Sequence, residues 1–307
     1  MRNAFAQEMT ELAGKRNDLV LLSGDIGNRL FDRFKESAPG RFLNCGAAEA
    51  NMIGVAAGLS SCGLRPVCYT IAPFLTLRVM EQIRVDLAYH HLPAVLVGAG
   101  AGLSYASLGA THHSLEDMGM LRLIPGLAVL APGDENELRA MLRAALDWPG
   151  PVYLRIGKKG EPLVHSSIPA FSIGKSIPVR PGGGIRLLAL GNILPSALAA
   201  AEILAARGIA CGVTSMASLK PLDTGVLEES FESAALVATL EEHSILGGLS
   251  TAVAEWLSQQ QPGNRAKWLR FGTPDEFLHA TSTASSARSG HGLNAESIAE
   301  TLLSEWP

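Results

Sequence analysis

The stretch PVCYTIAPFLTLRVMEQIRVDLAYHHLPAVLVG, residues 66–98, decides the fold class of this chain. Pro66–Ile71 and Ala94–Gly98 are short apolar runs, typical of strands that are buried on both faces of a sheet. The residues between them, Thr76–His90, favour a helix. A strand, a helix and a second strand in this order predict a unit of a parallel α/β sheet.

The same alternation extends along the whole chain and breaks once, at the proline- and glycine-rich stretch Lys158–Gly184. Before the break, strands are predicted at Asp18–Ser23, Leu127–Ala131 and Val152–Gly157, and helices at Gly54–Ser61 and Glu135–Asp147. After it, strands are predicted at Ile185–Leu190, Ile209–Thr214 and Leu236–Glu241, and helices at Pro195–Arg207 and Leu249–Gln259. We therefore predict an α/β protein with two doubly wound domains: a mostly parallel first domain at 1–170, a linker at 171–184 and a smaller α/β domain at 185–307.

Length and composition suit this division. A chain of 307 residues suits two domains, and 47% hydrophobic against 18% charged residues indicates a large core and surface buried against partners. The net charge of −4 gives no reason to expect nucleic acid or an anionic membrane as partner. The N-terminal segment favours an amphipathic helix over a signal peptide, and no run is suited to span a bilayer.

The four cysteines indicate a reducing compartment. Cys45, Cys62, Cys68 and Cys211 are scattered irregularly in apolar surroundings and form no C-x-x-C pair. We predict that they are reduced, buried thiols of a cytoplasmic protein.

Glu49 is an acid among small and apolar residues, at the start of a predicted buried helix within Asn44–Gly54. Taken alone, it is best interpreted as a first-turn acid stabilised by the helix dipole. A carboxyl group in such surroundings can also share a proton with a ligand nitrogen. The neighbouring glycines and alanines would let a flat ring or a second subunit approach closely.

Three further places could carry chemistry. Phe74 follows a strand end, where parallel sheets bind ligands, although core packing is the simpler explanation for a lone phenylalanine. The loop Gly98–Leu103 lacks the spacing of a dinucleotide-binding loop. The following pair His112-His113 makes a poor metal site because adjacent side chains diverge, so a single histidine acting as acid, base or donor is favoured. Arg155, near the end of a predicted strand, suits either a surface ion pair or an anchor for a substrate anion.

The second domain offers fewer candidates. Leu219–Asp223 and Glu241–Leu249 are interpreted as strand ends and turns of a structural domain. His243 is expected at a seam between domains or subunits.

Together and in this order, these segments resemble the last two domains of the transketolase family, and most closely the separate pyrimidine-domain subunits of split transketolases. The resemblance covers essentially the whole chain. It rests on AAEANMIGVAAGL (47–59), TIAPFLTLRVMEQIR (70–84), THHSLEDMGMLRLIPGLAVLAPGD (111–134), SLKPLD (218–223) and EEHSILGGLSTAVAE (241–255). These are similar to the family's G-I-x-E-x-x-M helix, its T-F-A-x-F run, its T-H-Q-x-x-E-D run, its T-I-K-P-L-D turn and its E-E-H motif.

The resemblance implies a thiamine-diphosphate-dependent enzyme that transfers a two-carbon ketol unit from a ketose to an aldose. Glu49 would hydrogen-bond to the aminopyrimidine ring and activate the cofactor. Phe74 would stack on that ring. Ile71 and Arg78 would complete the cofactor contacts.

The resemblance also implies substrate contacts. His112 would line the substrate channel and assist proton transfer, and Arg155 would anchor a phosphate or another anion. The chain departs from the family at Gly100, where many members have histidine, and at Leu108, where many have an aspartate that binds a donor hydroxyl. With Ile71 in place of an aromatic residue, these departures argue for an unusual ketose or another two-carbon donor.

The family binds the cofactor's diphosphate through a metal ion held by a G-D-G…N motif in a separate N-terminal domain. Here Gly24-Asp25-Ile26 with Asn44 lacks the third glycine and is spaced too closely, so no metal site is predicted in this chain. The resemblance therefore implies a partner subunit that carries the diphosphate site with Mg²⁺ or Ca²⁺. The cofactor would lie at the interface of an α2β2 heterotetramer that acts on a small sugar or sugar phosphate.

Three alternatives stay open. The chain could be the β subunit of a 2-oxoacid dehydrogenase or a deoxyxylulose-phosphate-synthase-like enzyme, but the run LEDMGMLRLIP favours transketolase. It could be a non-catalytic assembly subunit, against which Glu49, Phe74 and His112 argue together. A plain nucleotide-binding α/β protein would need a phosphate loop that the sequence does not offer.

Overall fold

A computed structural model of the chain describes residues 1–27, 29–261, 266–279 and 283–306. The strands within these residues are β1 (Leu19–Ser23), β2 (Phe42–Asn44), β3 (Arg65–Ile71), β4 (Val95–Ala99), β5 (Ala128–Leu130), β6 (Val152–Ile156), β7 (Ile177–Arg180), β8 (Ile185–Leu190), β9 (Cys211–Ser215), β10 (Ser218–Lys220), β11 (Leu236–Ser244) and β12 (Lys267–Thr273). The α-helices there are α1 (Arg2–Ala13), α2 (Asp32–Ser37), α3 (Glu49–Ser61), α4 (Ala72–Leu75), α5 (Met80–Gln82), α6 (Asp117–Leu121), α7 (Glu135–Asp147), α8 (Leu194–Ala205), α9 (Thr224–Ser233), α10 (Leu249–Ser258), α11 (Ala284–Gly290) and α12 (Ala295–Glu305).

The strands form two sheets. The first has the order β10-β5-β6-β4-β3-β1-β2 and the second the order β12-β11-β8-β9-β7. Neighbouring strands are parallel except for the pairs β10–β5 and β7–β9. Strands β1, β4 and β6 are buried along their whole length, as expected for interior strands of a mostly parallel sheet. The predicted α/β fold with two mostly parallel sheets is confirmed.

Two short strands connect the halves of the chain. Strand β7 lies inside the stretch predicted as a linker and pairs with β9 in the second sheet. Strand β10 follows that stretch, yet it pairs with β5 and so completes the first sheet. The division at 1–170, 171–184 and 185–307 stays a prediction.

The helix predicted at Thr76–His90 is present as helical turns over 77–89, but it is not a single regular α-helix. In the structure, a 3₁₀ turn (Leu77–Val79), α5 and a π-helix (Ile83–Tyr89) follow one another. The buried Thr76 hydroxyl donates to the Ala72 carbonyl oxygen at 2.8 Å. This side-chain bond competes with the backbone ladder and ends α4, so that the chain restarts as a tighter turn.

One of the apolar clusters in the core spans both halves of the chain. Buried residues such as Met52 and Leu96 of the first half form a continuous cluster with Leu188 and Val253 of the second. Such a cluster stabilises a fixed arrangement of the domains. Across the described ranges, no helix is both long and apolar enough to cross a membrane.

The four cysteines are free thiols, but their predicted burial is only partly correct. Cys68 and Cys211 are buried, and burial raises the pKa of the Cys211 thiol to about 12. Cys45 is half-buried, and Cys62 is exposed because it follows the last turn of α3 at the surface.

Candidate active site

The candidate residues lie at the carboxyl ends of parallel strands, where α/β sheets bind ligands. Glu49 is the first residue of α3, which follows β2. Phe74 lies in α4, which begins directly after β3. Because β2, β1 and β3 are neighbouring parallel strands, both segments lie at the same carboxyl edge of the first sheet.

Glu49 is a buried carboxylate with one polar side-chain partner among the described residues. Its side chain is 3% exposed, and its Oε2 accepts a hydrogen bond from Nη1 of Arg78 at 3.1 Å. The Arg78 side chain is 52% exposed. The N-terminal end of α3 and the guanidinium therefore both place positive charge beside the Glu49 side chain.

Arg78 also covers the ring of Phe74. The guanidinium carbon lies 4.1 Å from the ring centroid, so one flat group both stacks on Phe74 and donates to Glu49. An aminopyrimidine ring would need the same two contacts, an aromatic face and a carboxylate at one edge. Because the Arg78 side chain is half-exposed and long, a ring could displace it from this place. The residues therefore fit the aminopyrimidine of thiamine diphosphate.

The row of contacts continues from Phe74 to a lysine. The ring centroids of Phe74 and His112 are 5.2 Å apart, and those of His112 and Tyr105 are 6.1 Å apart. Nζ of Lys158 lies 4.6 Å from the centroid of Tyr105. A carboxylate, aromatic rings, a histidine and an amine thus form one row of neighbouring side chains, from Glu49 to Lys158, which is called the groove below.

His112 is the histidine that belongs to this groove. Its pKa is lowered from its ordinary value, first by partial burial and then by the nearby positive charges of His113 and Arg78. It is therefore neutral near pH 7, and its Nδ1 lies 2.9 Å from the Thr111 hydroxyl. His113 is buried, with Nε2 3.2 Å from the Ala106 carbonyl oxygen. The two histidines diverge, as predicted.

The three positions that depart from the family differ in their surroundings. Gly100 has a φ of +89°, and a Cβ there would lie 2.0 Å from Cε2 of Tyr105, so the tyrosine ring fills the space that a side chain would need. Leu108 is 49% exposed at the end of a short 3₁₀ turn. Ile71 is half-buried at the end of β3, immediately before α4.

Arg155 does not join the groove. Its side chain is 1% exposed, and its Nε donates to Oδ2 of Asp117 at 3.0 Å. Its Nη2 donates to the carbonyl oxygens of Ser114 and Glu242. The interpretation of Arg155 as a surface residue is therefore wrong, because its ion pair with Asp117 is buried. These bonds tie Arg155 to the fold, while its Nη1 has no hydrogen-bond partner among the described residues, and its role as a substrate anchor stays a prediction.

Tyr105 and Lys158 were missed from the sequence. Tyr105 is the only aromatic residue of the glycine-rich segment 98–109, and Lys158 starts the only Lys-Lys pair, directly after β6. Both positions follow strand ends, which is the pattern that could have identified them. Nδ2 of Asn44 donates to Oδ1 of Asp25 at 2.9 Å. Among the described residues, no group of three or more His, Cys, Asp or Glu side chains could hold a metal ion.

Both halves of the chain are similar to domains of known proteins. Residues 1–161 match the pyrimidine binding domain of transketolase, and residues 174–298 match the transketolase C-terminal domain. A subunit of the apulose-4-phosphate transketolase of Phocaeicola vulgatus is 34% identical over 98% of this chain and 96% of its own length. The 6-deoxy-6-sulfo-D-fructose transketolase subunit SqwH of a Clostridium species is 36% identical over 85% of this chain and 82% of its own length.

A solved structure, described as a split gene transketolase that forms an inactive β4 tetramer, superposes with a TM-score of 0.90. It is 36% identical and covers 99% of this chain and 97% of its own length. The chain therefore belongs to the transketolase family. Within that family, its similarity to these separate subunits over most of their length places it with the subunits of the split type.

Proposed function

We propose that this chain is the pyrimidine-binding subunit of a two-component transketolase, a transferase that moves a two-carbon ketol unit from a ketose to an aldose. The observation that carries the proposal is the row Glu49, Arg78, Phe74 and His112. It provides the acid, the aromatic face and the histidine that this chemistry needs at one strand-end groove. Bound thiamine diphosphate would supply the nucleophilic carbon that attacks the ketose carbonyl.

Each residue of the row then has a distinct task. Glu49 holds a proton at the aminopyrimidine nitrogen from a position that water cannot reach. Phe74 orients the ring by stacking once Arg78 has moved aside, and Ile71 borders the same strand end. Neutral His112 accepts or returns a proton at the substrate's carbonyl or hydroxyl oxygens.

The substrate is proposed to be an anionic ketose, with Lys158 in place of Arg155 as the anion contact. Within the described residues Lys158 has no ion pair. With Lys159, Arg288 and the carboxylate of Glu161, which pairs with the N-terminal amine, it lines a cleft of about 180 Å³ beside the groove. The names of the two similar subunits refer to a phosphorylated sugar and a sulfonated sugar, and both sugars are anionic. Exposed Leu108 and the tyrosine-filled space at Gly100 would select against ordinary donor contacts and favour an unusual donor.

The complete enzyme is proposed to need a second subunit of the N-terminal transketolase type, which would bind the diphosphate through Mg²⁺ or Ca²⁺ in an α2β2 assembly. The similar protein that forms an inactive β4 tetramer supports this need for a partner. Gly54 and Gly58 face open space on the exposed side of α3, where a second copy could approach closely. The free thiols favour a cytoplasmic location.

The test is calorimetric titration of thiamine diphosphate and Mg²⁺ into the chain alone and into complexes with candidate N-terminal-type subunits from the same genome. We expect tight binding only in a complex, together with ketol transfer. Glu49→Gln should assemble normally but lower kcat by at least about a hundredfold. A stable complex that neither binds the cofactor nor transfers a ketol unit would instead support the non-catalytic assembly subunit.

A further inference from the structure

Three consecutive ionisable residues at the end of β11, Glu241, Glu242 and His243, are fully buried at 0% exposure. None of them belongs to the groove described above. Burying a charged group is costly unless it has partners, so the partners of these residues indicate their roles. The two carboxylates serve different domains.

Glu241 serves its own domain. Its Oε2 accepts from the backbone N–H of Leu249 at 2.7 Å, and its Oε1 accepts from the N–H and hydroxyl of Ser250 at 2.9 and 2.8 Å. These groups form the first turn of α10. Glu241 therefore accepts hydrogen bonds from the free N–H groups at the start of a helix in the second domain.

Glu242 reaches across to the first domain. Its Oε1 accepts from the backbone N–H of Leu103 at 2.6 Å and from Nδ2 of Asn192 at 3.0 Å. Its Oε2 accepts from Nε of Arg288, which balances the charge. The Leu103 contact joins residues 139 positions apart in the sequence.

The approach of Glu242 is close enough to require glycine at position 102. Gly102 has a φ of +54°, and a Cβ there would lie 2.6 Å from the Glu242 carboxylate and 2.7 Å from its backbone oxygen. The Gly102 carbonyl oxygen accepts from the N–H of Ser114 at 3.0 Å, which closes the segment between them into a loop. Glu242 therefore fixes the base of this loop.

The loop 102–114 carries Tyr105 and His112, which line the groove, as well as Leu108. We propose that Glu242 is a positioning residue, through which the second domain holds this loop in the geometry that binds substrate. The consequence for substrate rests on the proposed function, whereas the consequence for loop order does not. The second domain thereby has a part in catalysis without touching substrate.

Glu242→Gln tests the proposal because a glutamine cannot accept on both sides. Its amide NH₂ must face either the N–H of Leu103 or the guanidinium of Arg288, and both are donors. Glu241→Gln is the matched control, since it alters a neighbouring, equally buried carboxylate. The double variant Glu242→Gln/Arg288→Met removes the opposing donor and lets the glutamine oxygen face Leu103.

The first measurement is hydrogen–deuterium exchange of the full chain, followed in peptides that cover 100–114 and 249–258. We expect Glu242→Gln to speed exchange at Leu103 and in the loop by about 10- to 100-fold, as loss of a charged hydrogen bond allows. Glu241→Gln should instead affect 249–258. The double variant should recover part of the loop's protection, which also keeps the test decisive if Glu242→Gln alone folds poorly.

The second measurement uses the complex with the partner subunit. Glu242→Gln should raise the KM for substrate by about tenfold while the Kd of thiamine diphosphate changes less than about twofold. Unchanged loop exchange in Glu242→Gln, or equal loop effects from Glu241→Gln, would overturn the positioning role. If no complex shows ketol transfer, the proposed function fails while the exchange experiment still decides the role of Glu242.

Discussion

Replacing Asp117 with asparagine should cost the fold about 3 kcal/mol, because it leaves the guanidinium of Arg155 buried without a counter-charge. Oδ2 of Asp117 accepts from Nε of Arg155 at 3.0 Å and from the Tyr153 hydroxyl at 2.6 Å, whereas Oδ1 has no partner. Asparagine can keep its oxygen at the Oδ2 position and place its NH₂ at Oδ1. The substitution therefore removes the charge and retains both hydrogen bonds.

Asp117→Ala should cost about 1–3 kcal/mol more, since the buried Tyr153 hydroxyl also loses its acceptor. Urea unfolding of the free chain measures both changes. Glu229→Gln is the control: its ion pair with Arg186 is exposed on the glutamate side, so a loss of about 1 kcal/mol at most is expected. A loss below about 1 kcal/mol in Asp117→Asn, together with weaker substrate binding, would refute this reasoning and return Arg155 to the role of substrate anchor.

Three further outcomes are expected. Nε2 of His165 hydrogen-bonds to the buried Glu137 carboxylate at 2.8 Å, which raises the pKa of His165 above its ordinary 6.5. The pair therefore stabilises the fold fully below pH 6.5, and its contribution decreases as pH rises through the folded-state pKa of His165. The urea midpoint of His165→Gln should be lower than that of the parent at low pH and should approach it at high pH. Lys158→Met should lower kcat/KM for a phosphorylated ketose by about tenfold or more and for a neutral ketose by less than about twofold; equal losses would exclude the anion contact. Leu108→Asp, at an exposed position, should change the free energy of unfolding by less than about 0.5 kcal/mol and raise kcat/KM for donors with a free hydroxyl; no gain with any donor would contradict its role in selection.

Most strands could be located from the sequence because strands buried on both faces need mostly apolar residues, as Pro66–Ile71 and Ile185–Leu190 illustrate. The sequence placed the helical segment at Thr76–His90 but did not predict its division into 3₁₀, α and π turns, because hydrophobic periodicity does not distinguish these closely related helices. The family resemblance selected Glu49, Phe74, Arg78 and His112, and the structure brings these four together.

The remaining site residues depended on contacts that a single sequence does not contain. The burial of the Arg155 ion pair was not predicted because its partner Asp117 lies 38 positions earlier. Glu242 was interpreted as part of a turn because its contact with Leu103 crosses between domains. Long-range partners of buried charges are therefore where sequence patterns give least information.

Strand β10 has a consequence for how the chain can be divided. It is only three residues long, but it pairs with β5, whose residues Ala128–Leu130 are all buried and apolar. A fragment ending near residue 170 would leave the backbone groups of β5 as an open, hydrophobic edge, ready to pair with another chain. The second half of the molecule thus protects the first half from aggregation by covering this edge. A fragment cut within the proline-rich stretch would be prone to aggregate and would not be an independent domain.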